Sequence, residues 1–99
     1  MGKVAIAITK SALADLEDIE NYISLDSPAI ARKFISRIFD KIDQLHTYPE
    51  SGKYVPEIKD TSIRELLINK YRIVYQIADS NKVNILRVVH GSRLLDIEF

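Results

Sequence analysis

The residues best equipped for chemistry lie in the second half of the chain: Arg64, Arg72, Arg87 and Arg93, with His90, Tyr71 and Tyr75 among them. A guanidinium offers a planar fork of donors that matches a phosphate or a carboxylate, and it stays charged at any physiological pH. Histidine and tyrosine are the groups of this set that can move a proton. The cluster therefore suits one of two tasks. It is a contact surface for an anionic partner, built from Arg64, Arg72, Arg87 and Arg93, or it is a catalytic site whose candidate members are Arg72, His90 and Arg93.

The elements that must position these side chains follow from periodicity. Ile63 to Ile68, Tyr71 to Ala78 and Val83 to His90 are extended runs separated by the turn signals Asn69-Lys70 and Asp79-Ser80-Asn81-Lys82, so they form an antiparallel meander. With Ala78 facing Val83 and Leu67 facing Arg72, Tyr71, Ile73, Tyr75 and Ile77 share a face with Leu66, Leu86 and Val88, and His90 leans toward that core side. Arg72 and Arg87 then fall together on the opposite, wet face with Glu65, Val74, Gln76 and Val89. On such a face Glu65 is near enough to occupy Arg87, which makes Arg87 the more structural of the arginines.

Upstream, Val4 to Ile8 is a short β-branched run that fits a strand. Ser11 caps a helix whose apolar stripe is Leu13, Leu16, Ile19 and Ile23. Ser27 and Pro28 open a second helix, with Ile30, Phe34, Ile38, Ile42 and Leu45 as its spine and Ala31, Ile35 and Phe39 beside it. The short joint makes the two helices an antiparallel hairpin. From Tyr48 to Thr61 periodicity vanishes, and Pro49, Gly52 and Pro56 mark a connecting loop. Residues 1–99 read as a single α+β domain: an N-terminal strand, a helix hairpin and a three-stranded meander, with the helices on one face of the sheet.

Composition narrows the function. The chain has 99 residues, 46% of them hydrophobic, which is enough for one core. No cysteine is present, so thiolate metal sites and disulfides are excluded, and neither a metal nor a cofactor is expected. The apolar run in MGKVAIAITK is too short for a signal peptide or a bilayer span, so the expected compartment is the cytoplasm, with no membrane partner. Fourteen basic and fourteen acidic side chains cancel, which argues against strong nonspecific nucleic-acid affinity. They are unevenly placed: between Ser11 and Asp26 the chain carries Asp15, Glu17, Asp18, Glu20 and Asp26 with no Lys or Arg, whereas from Ile63 to Arg93 it carries Arg64, Lys70, Arg72, Lys82, Arg87 and Arg93 against Glu65 and Asp79.

REL at 64–66, YRIVYQI at 71–77 and ILRVVHGSR at 85–93, preceded by ALADLEDIENYI and a helix closing at LHTYPESG, together resemble the RelE/ParE superfamily of toxins from type II toxin–antitoxin modules. The resemblance implies the same order of elements and a small cytosolic toxin. A cognate antitoxin would neutralise it, in a toxin–antitoxin hetero-oligomer. The superfamily divides by target. RelE-like members cut mRNA on the ribosome using lysines before the YR pair, the arginine of that pair, an arginine after the last strand and a C-terminal tyrosine. Here Arg72 and Arg93 match, but Arg64 and Glu65 stand where the lysines would be, and Phe99 stands for the tyrosine. Cleavage by a 2′-OH needs a base and an acid as well as cations, and the arginines provide only the cations. The set is closer to the ParE branch, which implies inhibition of DNA gyrase by protein contact. The alternatives are the ribosome-dependent endoribonuclease, with ribosome and mRNA as partners, and a non-toxic interaction module of the same fold.

Overall fold

The computed structural model describes residues 3–93. Strand β1 (Ala5–Ile8) leads into helix α1 (Lys10–Ser24), followed by α2 (Pro28–Asp43) and a single 3₁₀ turn at Gln44–His46. The remaining strands are β2 (Lys53–Tyr54), β3 (Ile63–Ile68), β4 (Tyr71–Asp79) and β5 (Lys82–His90). The sheet order is β1-β5-β4-β3-β2. The meander is present as expected, and two strands extend it. β1 joins parallel to β5 (Ile6 opposite Val83), and the short β2 adds to β3 (Lys53 opposite Glu65).

Local chemistry explains the helix boundaries. Thr9, two residues before the expected cap at Ser11, accepts from the Ala12 N–H and so satisfies one of the otherwise unpaired donors of α1. Its hydroxyl also donates to the Leu86 carbonyl, tying the start of α1 to β5. Ser27 caps α2 through the Ile30 N–H, with Pro28 following it in the first helical position. Asn69, in the tight β3–β4 turn, takes φ 51°, a left-handed conformation that asparagine tolerates better than most residues.

Two apolar clusters sit on opposite faces of the sheet. The larger joins Leu16 and Ile19 of α1 with Phe34, Ile38 and Ile42 of α2 and the strand residues Ile73, Tyr75, Ile85 and Val88. The smaller joins Val55, Ile63, Val74 and Val89, with Ile58 and Leu86 packed against it. This second cluster corrects the expectation of a wet opposite face, because the loop between β2 and β3 lies over it. The helices are also less enclosed than their stripes suggest: Leu13, Ile30 and Phe39 remain exposed.

The register of β4 against β5 corrects the sorting of the arginines. Val74 pairs with Arg87 but Tyr75 pairs with Ile85, so Leu86 is an extra residue in a bulge, and a second irregularity makes Val83 face Ile77 rather than Ala78. Ile85, not Leu86, joins the helix-side core, while Leu86 packs with the smaller cluster. Arg87 is turned away from Arg72 and Glu65.

Candidate functional site

Arg72 stands at the centre of the strongest polar cluster. From β4, opposite Val89 and Leu67, its side chain enters the face covered by the β2–β3 loop and is only 6% exposed. Its Nε donates to Glu65 Oε1 at 2.7 Å. Its Nη1 and Nη2 donate to Glu57 Oε2 and Oε1 at 2.6 and 2.8 Å, a two-pronged pairing, and Nη1 also reaches the Arg93 carbonyl at 3.2 Å. Lys53 Nζ lies 3.9 Å from Glu65 Oε2. Hydrogen bonding to Glu57 outweighs burial and, with Glu65, pushes the Arg72 pKa further above its already high ordinary value.

The loop supplies Glu57 by a local device. Val55-Pro56-Glu57-Ile58 closes a turn through Ile58 N–H to Val55 C=O, with proline second, where its fixed φ is preferred. Val55 and Ile58 anchor both ends of that turn in the smaller apolar cluster. Around Arg72 opens a cavity of about 520 Å³, to which Lys53, Lys70 and Arg93 contribute exposed cations. Gly91 passes close to the β3–β4 turn there, its N–H bonding to the Lys70 carbonyl at 2.6 Å.

The other arginines are placed separately. Arg64 on β3 stacks over Tyr54, its guanidinium carbon 4.6 Å from the ring centroid, and its Nη1 donates to the carbonyls of Gly52 (2.9 Å) and Glu50 (3.3 Å). It pins the loop after α2. Arg87 forms a two-bond pair with Asp15 of α1 at 2.7 and 3.0 Å, and the same carboxylate accepts from the Val88 N–H. That pair holds α1 against β5 and raises the Arg87 pKa. Arg93 shares the Arg72 cavity and is exposed, and among the described residues its guanidinium has no ion pair.

Of the proton-moving candidates, Tyr71 lines the Arg72 cavity, whereas His90 and Tyr75 lie elsewhere. His90 is exposed rather than core-facing, its Nδ1 2.7 Å from Ser92 Oγ and its ring edge-on to Tyr71 at 5.7 Å. Tyr75 is completely buried; its hydroxyl accepts from the Gly52 N–H at 2.9 Å and donates to the Pro49 carbonyl at 2.8 Å. Burial, the dominant influence, raises its pKa above the ordinary tyrosine value. Phe99 lies outside the described residues. Among those described, no group of three or more histidine, aspartate or glutamate side chains is arranged to hold a metal, and no helix is long and apolar enough to cross a membrane.

Sequence reasoning missed Glu57, Lys53 and Asp15 as partners. Pro56 marks the connecting loop in the sequence, but nothing there indicates which strand arginine Glu57 meets.

A helix hairpin over one face of a mixed five-stranded sheet, with an arginine-rich final hairpin, defines a small α+β fold. The chromosomal ParDE system of P. aeruginosa contains a chain that superposes with a TM-score of 0.73 at 22% identity, covering 89% of this chain and 96% of that one. The toxin–antitoxin complex RelBE2 of Mycobacterium tuberculosis gives 0.59 at 24% identity, covering 91% and 99%. In sequence, the chain is 38% identical to Toxin RelE2 of Caulobacter vibrioides over 87% of this chain and 93% of that protein. It is 39% identical to the putative toxin Y4kP of Sinorhizobium fredii over 92% of each. The family model for the ParE toxin of the type II toxin–antitoxin system parDE matches residues 6–95. The chain belongs to the ParE toxin family.

Proposed function

We infer that this toxin acts by contact with a protein target, DNA gyrase, rather than by cutting RNA, and that a cognate antitoxin neutralises it in the cytosol. The observation that carries the reading is the state of Arg72. The one buried arginine in the cavity is already gripped by Glu57 and Glu65, so an RNA phosphate approaching it would meet the Glu57 carboxylate before it met the cation. The Tyr75 hydroxyl is committed to backbone groups, and His90 bonds to its own loop, which leaves Tyr71 as the proton-moving candidate at the cavity. Exposed Arg93 and Lys70 are then available to a protein surface. The ribosome-dependent nuclease is the second reading, favoured by the cations that surround the same cavity.

For the antitoxin, the supporting feature is a groove of about 660 Å³ between the helix hairpin and the β3–β4 turn. Ile23, Ile30, Phe34 and Tyr71 provide apolar lining, and Lys33, Arg37 and Lys70 provide charge. It suits an amphipathic segment carrying acidic side chains. The test is controlled expression with and without the antitoxin, scored for gyrase-dependent DNA breaks and for cleavage of ribosome-bound mRNA. Breaks without codon-specific mRNA cuts are expected; mRNA cuts with no effect on gyrase would reverse the assignment.

A further inference from the structure

We propose that Glu57 is a built-in occupant of an anion seat. Its carboxylate lies where a phosphate group would otherwise bind to Arg72, and it thereby sets the class of ligand this cavity admits. The proposal rests on the reading of this cavity as closed to RNA, and it names the residue responsible.

The argument is geometric. A buried guanidinium has two edges that accept an oxyanion: one through Nε, the other through the pair of terminal nitrogens. In Arg72 the Nε edge is held by Glu65, a neighbour on the sheet that is itself 4% exposed. The terminal edge is held by Glu57, which comes from a loop turn and whose side chain is 20% exposed. The two carboxylates are therefore not equivalent. Glu65 belongs to the floor, and Glu57 stands between that floor and the cavity.

Without the Glu57 charge, Arg72 keeps its position, because Glu65 still holds Nε and the Arg93 carbonyl still holds Nη1. Its terminal nitrogens would then face a space of about 520 Å³ to which Lys53, Lys70 and Arg93 add positive charge. That is a receptor for a tetrahedral oxyanion, and an exposed cation rim draws such ligands in. The turn anchored by Val55 and Ile58 keeps the occupant in place.

The probe is inorganic phosphate, followed by NMR of the arginine side-chain and backbone signals in the parent, Glu57→Gln and Glu57→Ala, with thermal melts alongside. In the parent, phosphate should disturb only Lys53, Lys70, Arg93 and their neighbours, leaving the Arg72 Nε signal unmoved. In Glu57→Gln or Glu57→Ala, phosphate should shift the Arg72 signal and bind at least about tenfold more tightly, a gain the added Arg72→Gln change abolishes. A phosphate-dependent Arg72 shift in the parent would overturn the proposal, as would equal affinity in parent and variants. Failure of both variants to fold would assign Glu57 to the architecture alone and overturn it too. Because the readout is phosphate on the purified chain, its outcome is independent of whether gyrase is the target.

Discussion

Replacing Arg72 by glutamine should be among the most damaging single changes in the chain, and the reason is the charge it leaves behind. Glu65 is almost fully enclosed, and the Glu57 side chain, on the loop above it, is 20% exposed. Removing one member of a buried ion cluster strands its partners as uncompensated charges, at a cost of about 3–5 kcal/mol. For a domain of this size each kcal/mol lowers the melting temperature by about 4–8 °C, so the midpoint should drop by at least about 12 °C. The companion variant decides the mechanism. Adding Glu65→Gln to Arg72→Gln removes the stranded charge, so the double variant should recover a substantial part of the loss. The assay is thermal and urea unfolding of the four proteins of this cycle. A single variant melting within about 4 °C of the parent, or a double variant no better than the single, would refute the picture of a buried ion cluster.

Tyr75→Phe removes the oxygen that satisfies the Gly52 N–H and the Pro49 carbonyl inside the protein, and should lower stability by about 1–3 kcal/mol in chemical denaturation. Because burial raises the Tyr75 pKa, the phenol favours the fold fully below its ordinary pKa of about 10, and that contribution is lost as pH rises through the higher folded value. The parent should thus weaken in strongly alkaline solution more steeply than Tyr75→Phe, as pH-dependent melts will report. Asp15→Ala should cost about 2 kcal/mol and exceed Arg87→Gln, since it also abandons the Val88 N–H; guanidinium unfolding of the pair measures the order. Arg93→Gln should leave the melt within about 0.5 kcal/mol of the parent yet weaken growth inhibition, with lysine restoring part of it. Toxicity undiminished by the glutamine would remove Arg93 from the working surface.

The order of elements was legible because each left a local record. The Ser27-Pro28 start of α2, the three-and-four spacing of Leu16, Ile19 and Ile23, and the alternation of Ile73 with Tyr75 all reflect forces between near neighbours in the chain. The pairing of Leu67 with Arg72 was legible too, since a two-residue turn at Asn69-Lys70 sets that register. By itself, the sequence determined an α+β chain with a helix hairpin, a meander and arginines along its last two strands, and the residue set that places it in the toxin superfamily. Tertiary structure decided what those arginines are for. The bulge at Leu86 sent Arg87 to Asp15, seventy-two positions away, and bulges carry no periodic signal. The β2–β3 loop folded over a face that alternation alone marks as wet, burying Arg72 and Glu65 and bringing Glu57 onto the guanidinium. Arg93, lining the same cavity, stayed exposed. Such pairings depend on which distant surfaces meet, and a side chain's partner across the fold is recorded nowhere in the residues beside it.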